Sequence, residues 1–322
     1  MNPRRIGRLA LIPDAPATPE APSRAPQPRD GCVWFVGAGP GDPDLITLRG
    51  WRALQQADLV LFDSLVDVRM LDGLSAECLY VGKRCGRHSM SQEEINALLI
   101  ESARSGRRVV RLKGGDPSVL GRVGEEALQL AERDLPFELI PGVTSATAVP
   151  MLAGIPITHR GLADSFVVAT AHRRSKEMDL SIPRYNAETT LVLLMARATA
   201  DAWQTALVAG GYPSDLPVAL VSAGSTPEQR IVITTVANAL GDLYAAELPT
   251  PVLAVVGRVV ELHDRLGETR RPTQTSMTAD VAAAASRNDE ASNPPGDARP
   301  AFGFHTGDAN AAPQRINTKS CH

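Results

Sequence analysis

Apolar positions along the chain recur with two spacings. Short apolar runs rich in β-branched residues fall at 33–36, 59–62, 109–112 and 137–140, and stretches with helical spacing separate several of them. Strands alternating with helices predict an α/β layer. One helix carries its own start signal. Ser91-Gln92-Glu93-Glu94 has the form of a capping box, and Ile95, Leu98 and Leu99 follow at positions that share a helix face. The second half repeats the scheme at 166–169, 190–195, 218–221, 230–234 and 252–256, which predicts a second sheet. Between the halves, the Gly and Pro residues from Ala153 to Gly161 interrupt regular structure and predict a junction near 150–165.

A chain of 322 residues can bury two cores of ordinary size. The expected division is a Pro-rich leader over 1–30, α/β domains over 31–155 and 156–268, and a tail over 269–322. Leader and tail hold too few apolar residues to offset the entropy of ordering them, so both are expected to be disordered. With 43% hydrophobic and 21% charged residues and a formal net charge of -3, the composition is that of a globular protein and excludes nucleic acid as the default partner. No apolar run approaches the roughly 20 residues that cross a bilayer. Cys32, Cys78, Cys85 and Cys321 form no CxxC pair, which fits a reducing cytoplasm. Cys85 and His88 make half a metal site at most, and with no second ligand pair nearby no metal is expected.

Residues that follow strands in α/β proteins project past the sheet and commonly hold ligands. Here those segments are rich in Gly, Pro and Asp. Val36-Gly37-Ala38-Gly39-Pro40-Gly41-Asp42 invites a dinucleotide reading, with Asp63 as the ribose acid. That reading fails in detail: Asp42 stands where the third glycine belongs, and Pro40 removes a backbone donor where pyrophosphate would sit. The second loop, Arg111-Leu112-Lys113-Gly114-Gly115-Asp116-Pro117, lacks the G-K-[ST] ending of a P-loop. Its paired glycines let a ligand approach the backbone, and Asp116 offers a carboxylate to a hydroxyl or amine. The third, Pro141-Gly142-Val143-Thr144-Ser145, ends a strand and opens a helix, where hydroxyls serve as N-caps or as ligand contacts. Taken alone, each loop also reads as an ordinary turn.

Taken in order, V-G-A-G-P-G-D-P-D-L-I-T, R-L-K-G-G-D-P, P-G-V-T-S-A and G-I-P-I-T-H-R-G resemble the tetrapyrrole methylases, and G-R-V-G-E-E with T-H-R-G-L-A resembles the branch that methylates uroporphyrinogen III. The resemblance implies a two-domain α/β fold, each domain a mixed sheet with flanking helices. It also implies a homodimer in which S-adenosyl-L-methionine (SAM) is folded into the interdomain cleft. By similarity, SAM is expected to touch Pro40, then Gly114, Gly115, Asp116 and Val119, then Thr144 and Ser145, with Met195 and Gly224 completing the pocket. The family's acid and base positions match Asp63 and Lys83. Arg122, Glu125 and Arg160 match positions implicated in substrate handling and proton removal, and arginine, which stays protonated, suits a carboxylate clamp better than a base. Lys83, Arg84, Arg87 and His88 cluster in one segment, fitting an acidic macrocycle. The implied reaction is C-methylation of uroporphyrinogen III at C2 and C7, giving precorrin-2 for siroheme or cobalamin.

The chain departs from the family pattern at Ser64, where a substrate-facing arginine is expected, and at Ser118, Leu120 and Val123, which replace two aromatics and a glycine. Ala171 stands where glycine normally precedes His172. All of these changes are expected to line the cleft. They keep two alternatives open: a same-fold methyltransferase acting on another precorrin, and a non-catalytic SAM- or tetrapyrrole-binding paralogue.

Overall fold

The computed structural model describes residues 31–82, 90–171 and 180–267. The expected leader and tail, the cationic segment holding Lys83, Arg84, Cys85, Arg87 and His88, and His172 lie outside these residues.

Strands β1 (Cys32–Gly37), β2 (Leu59–Phe62), β3 (Glu77–Tyr80), β4 (Arg108–Lys113) and β5 (Phe137–Ile140) form the first sheet in the order β3-β2-β4-β1-β5. Every pairing in it is parallel. The mixed pairing expected of both halves is therefore absent from this one. The cause is its connections: α1 (Leu48–Gln56), α2 (Gln92–Arg104) and α3 (Val123–Ala131) each carry the chain back to the edge where the next strand starts. A parallel sheet needs cover on both faces. Ala53 and Leu54 of α1 pack with Val36, Val60 and Leu112 on one side. Leu99 of α2 and Leu130 of α3 pack with Val33, Phe35 and Leu61 on the other. The capping box forms as its sequence predicts: Glu94 N donates to Ser91 Oγ at 3.2 Å and Ser91 N to Glu94 Oε2 at 2.6 Å.

One clamp at the far edge of this sheet fixes the β2–β4 register. Asp58 accepts from Arg108 N at 2.8 Å, Nε at 3.1 Å and Nη2 at 2.7 Å. The side-chain hydrogen bond from Arg108 is the main cause that holds the Asp58 carboxyl below its ordinary value of 3.8. A folded-state value lowered in this way contributes stability above the unfolded value and loses it as pH falls through the folded one. Asp58→Asn is thus expected to melt below wild type at neutral pH and to converge with it in strong acid. Melting curves across pH 2–7 that run parallel throughout would count against the clamp.

The second sheet comprises β6 (Ser165–Thr170), β7 (Thr189–Leu194), β8 (Pro217–Ser222), β9 (Arg230–Thr235) and β10 (Val252–Val256), in the order β6-β7-β10-β8-β9. Here the pairing is mixed: β6 runs parallel to β7, and the other three pairings are antiparallel. Helices α5 (Ala200–Ala209) and α6 (Ala239–Ala245) cover one face around the fully buried Trp203, whose indole N–H donates to Ala196 O at 2.7 Å. Helix α4 (Ser145–Leu152) covers the other, with Ala146 and Val149 packed against Val192, Val221 and Leu253. Both sheets belong to one compact unit. Among the described residues, no helix is long and apolar enough to cross a membrane, and no three His, Cys, Asp or Glu residues group as metal ligands.

Candidate active site

Because the strands of the first sheet all point one way, their C-terminal ends share an edge, the usual ligand edge of such sheets. The first loop after β1, Asp63 after β2, Gly114 after β4 and Pro141 after β5 all sit there. In the second sheet, antiparallel pairing does the same work by other means. The registers Ala254↔Leu193 and Val252↔Ser222 set the end of β7, the end of β8 and the start of β10 side by side. The two edges enclose a cavity of about 520 Å³, well within the range of small-molecule sites.

The loops are joined by main-chain contacts. Gly115 N donates to Gly39 O at 2.6 Å and Gly39 N to Gly115 O at 3.2 Å, which ties the first loop to the second. Asp116 ties the second to the third, since its Oδ2 accepts from Gly142 N at 3.0 Å. Asp42 N donates to Ser225 Oγ at 3.0 Å and links the first loop to the second half. Backbone strain also concentrates at this cavity. Four of the seven described non-glycine residues with positive φ line it, namely Leu120, Arg122, Met195 and Ala223. Such strain persists only where the surroundings over-determine it, which is the habit of ligand sites.

All nine positions assigned to SAM by similarity line the cavity: Pro40 in the first loop, Gly114, Gly115, Asp116 and Val119 in the second, Thr144 and Ser145 in the third, and Met195 and Gly224 from the second half. Thr144 also caps α4, accepting from Ala146 N at 3.3 Å, so its hydroxyl serves the fold as well as the cavity. Met195 lies one residue past β7 rather than within it, with φ of 60°. Asp116 differs from expectation. Its Oδ1 accepts from Ser118 N at 2.8 Å and Ser118 Oγ at 2.5 Å, so both oxygens are engaged inside the protein. Burial opposes its ionisation, and those hydrogen bonds from Ser118 and Gly142 outweigh burial and leave the carboxyl below its ordinary value. Asp116→Ala is expected to cost about 1–2 kcal/mol of stability by freeing these donors and to weaken SAM binding because the loops separate. Denaturant unfolding and calorimetry measure the two effects, and a loss of affinity with no loss of stability would contradict the staple role.

Asp63 and Arg122 line the cavity; Glu125 and Arg160 do not. Glu125 holds Arg122 from outside, accepting from Nε at 2.9 Å and from Nη2 at 2.5 Å, with both side chains more than half exposed. Arg160 lies exposed in the turn closed by the His159↔Ala163 bridge. Lys83 falls outside the described residues. Of the departures from the family pattern, Ser64 and Leu120 line the cavity. Ser118 instead serves Asp116, and Val123 is core, 8% exposed at the start of α3.

Three charges at the site were given no role by the sequence. Arg111, inside the apolar run at 109–112, and Lys113, expected just past its end, both belong to β4 and project from the same face of it, as residues two apart on a strand do. Both are buried and both line the cavity. Between them on α3 lies Glu126, 1% exposed, whose carboxylate accepts from Lys113 Nζ at 3.0 and 3.1 Å and lies 3.5 Å from Arg111 Nε. Gln92 Nε2 donates to the same carboxylate at 3.0 Å. On its other side, Arg111 Nη2 stands 3.7 Å from Asp63 Oδ2. Burial and the neighbouring Arg111 push the Lys113 ammonium down from its usual range, and Glu126 offsets part of that. The signal was present in the sequence: two cations on one face of a strand, interleaved with Val109, Val110 and Leu112, demand a buried counter-charge.

Fold and site together define an α/β protein of two sheets that meet across one small-molecule cleft, charged on the side of the first sheet and apolar on that of the second. The chain belongs to the tetrapyrrole (corrin/porphyrin) methylases, whose pattern matches residues 32–240. It is 44% identical over 240 residues to the uroporphyrinogen-III C-methyltransferase of Methanocaldococcus jannaschii, a match covering 73% of this chain and 98% of that protein. It is also 44% identical over 247 residues to siroheme synthase 1 of Halorhodospira halophila. That match takes in 76% of this chain and 50% of the relative, so the chain spans about half the length of that siroheme synthase. Among solved structures, the uroporphyrin-III-C-methyltransferase of Thermus thermophilus superposes with a TM-score of 0.64 at 40% identity, covering 76% of this chain and 99% of that one. A structure of the Thermus thermophilus uroporphyrin-III C-methyltransferase complexed with S-adenyl homocysteine gives 0.62 at 39% identity, covering 72% of this chain and 100% of that one.

Proposed function

We propose that this chain is a SAM-dependent methyltransferase that converts uroporphyrinogen III to precorrin-2 by methylation at C2 and C7, feeding siroheme or cobalamin synthesis. The observation that carries this reading is the convergence of loops from both sheets on one cavity with two unlike walls. Asp63, Arg111, Lys113 and Arg122 make the charged wall, and Val149, Leu194, Val221 and Leu253 the apolar one.

The residues present fit SAM. At Gly115, which has φ of +68°, an added Cβ would meet nothing nearer than Ser145 N at 3.8 Å and Thr144 Cα at 4.0 Å, so the main chain there is open to a ligand. The apolar wall suits an adenine and a thioether. When bound, SAM supplies a sulfonium methyl already activated for transfer, so the protein's task is alignment more than covalent chemistry. Gly114, Gly115, Asp116, Thr144 and Ser145 would hold SAM, which would supply the methyl group to a pyrrole carbon of the substrate, and the charged wall would receive the proton that the ring gives up.

In this reading Arg122, stiffened by its fork to Glu125, grips a substrate carboxylate as a planar bidentate donor. Asp63 and Lys83 handle protons, and Arg160 meets substrate from the second half. Leu65, Leu120 and Met195, each about half exposed at the cavity, offer apolar contact to the face of the macrocycle. The working form is a cytoplasmic homodimer, and the two halves divide at 155/156, with α4 lying by its packing against the second sheet.

The test is turnover. Purified full-length chain with SAM and uroporphyrinogen III is expected to yield precorrin-2, followed by absorbance and by a mass gain of two methyl groups. SAM binding without transfer supports the non-catalytic alternative, and transfer to a later precorrin in preference to uroporphyrinogen III supports the same-fold one. Either result overturns the proposal.

A further inference from the structure

We infer that Glu126 is a positioning residue for methyl transfer, acting through Lys113 and Arg111 on the cavity-facing carboxylate of Asp63. The inference rests on the activity proposed above.

Glu126 does not line the cavity. It lies behind the wall at 1% exposure, yet it touches both of the buried cations, Arg111 and Lys113, that line the cavity. Its carboxylate is the hub of a buried chain: Gln92 and Lys113 donate to it at 3.0 Å, Arg111 approaches at 3.5 Å, and Arg111 reaches on to Asp63 at 3.7 Å. Arg111 has few other options. Its Nη1 is spent on Leu61 O and Leu112 O at 3.4 and 3.2 Å, and its Nε is a buried donor without a hydrogen-bond partner. A guanidinium pinned in this way is a strut, and its position is set jointly by the anion behind it and the anion in front. Asp63 in turn is steadied on its other oxygen, Oδ1, which accepts from Leu65 N at 3.1 Å.

Burying two cations two residues apart on one strand is unfavourable unless a counter-charge lies between them. A fold that needed only packing here would place apolar residues at 111 and 113, like their neighbours Val109, Val110 and Leu112. That they are cations, open to the cavity and balanced from behind, indicates that their charge is wanted on the cavity side. The groups facing Lys113 are Arg111 on its own strand, Glu126 from α3 and Asp63 from the end of β2. Of these, Glu126 is the carboxylate that hydrogen-bonds it, so its loss leaves the ammonium beside a second cation.

The experiment compares wild type, Glu126→Gln and Glu126→Asp by turnover with SAM and uroporphyrinogen III across pH 6–10, with SAM affinity measured by calorimetry. Glu126→Gln is expected to fold, because Lys113 can shed its proton instead of forcing the chain open. It is expected to bind SAM within about threefold of wild type, to lose about ten- to a hundredfold in kcat as misplaced reacting groups do, and to show the alkaline limb of kcat at lower pH. Glu126→Asp, which keeps the charge, is expected to restore the wild-type limb. A folded Glu126→Gln with wild-type kcat and pH profile overturns the inference, as does a uniform loss at every pH that Glu126→Asp does not relieve. If Glu126→Gln does not fold, the paired variant Lys113→Met with Glu126→Gln removes both charges together, and wild-type turnover in that protein overturns the inference equally. Turnover by wild type is read first, and its absence is a failure of the proposed activity, on which this inference depends.

Discussion

Gly142→Ala is expected to abolish SAM binding and to destabilise the fold. A Cβ at this position would stand 2.3 Å from Gly115 O, 2.6 Å from Gly37 Cα and 2.9 Å from Gly37 C. None of those atoms is the end of a flexible side chain. All belong to the main chain of the two other loops, and those loops are tied to one another by the Gly39–Gly115 bridge. The third loop has to move as a body, which costs about 1–3 kcal/mol as overpacking does, and it carries Thr144 and Ser145 out of the cavity with it. Calorimetric titration with SAM and denaturant unfolding check the two halves of the claim. Gly124→Ala is the control, since an added Cβ there meets nothing within 4 Å and a helical glycine gains about 0.5–1 kcal/mol on becoming alanine. Equal behaviour of the two variants would show that the loops do not press on one another at Gly142.

Lys113→Ala is expected to be the more damaging change to stability, at about 3 kcal/mol, the lower end of the cost of breaking a buried ion pair. The lower end applies because Glu126 keeps Arg111 at 3.5 Å and the Gln92 amide at 3.0 Å. The double variant Lys113→Met with Glu126→Gln removes both charges and keeps most of the volume, so its stability is expected near that of wild type, with a large coupling energy in the double-mutant cycle. Burial already pushes the Lys113 ammonium down from its ordinary 10.5. The unfolded chain therefore binds more protons than the folded one between that lowered value and 10.5, and over this window wild-type stability rises with pH. The slope is expected to vanish in the double variant. Equal stabilities for wild type and Lys113→Ala at neutral pH would remove the pair from the core.

What the sequence made legible follows from how local each signal is. The strands at 33–36, 59–62 and 109–112 are apolar because central parallel strands are covered on both faces, and such runs stand out; the strand at 137–140 lies at the sheet's other edge and was legible because three of its four residues, Phe137, Leu139 and Ile140, are apolar. Strand β3 was missed because Glu-Cys-Leu-Tyr lies at the sheet's edge, exposed over three of its four residues, and has no such run. The capping box needs four residues and was read directly. The glycine loops were legible as a set because close approach of main chain leaves glycine as the residue that fits.

The charges were read less well. Glu125 was singled out over its neighbour, yet successive residues on a helix point about 100° apart, and it is Glu126 that turns inward. Lys113 looked like a loop cation because the glycines that follow drew the strand's end one residue too early, and Arg111, though inside the run at 109–112, was read with the loop motif that begins at it. What distinguishes a buried cation from a solvated one is its partner across the sheet, and that lies on another element.

The strand order carries a consequence for biogenesis. Strand β1 is made first, but its partners in the sheet are β4 and β5, so the residues that will be most deeply enclosed wait longest for neighbours. A nascent chain halted before Arg108 presents Val33, Phe35 and Val36 with nothing to pair against, a state open to capture by chaperones or by other chains. Catalytic competence then arrives in one step late in synthesis, and premature termination anywhere in the first half yields no partial enzyme.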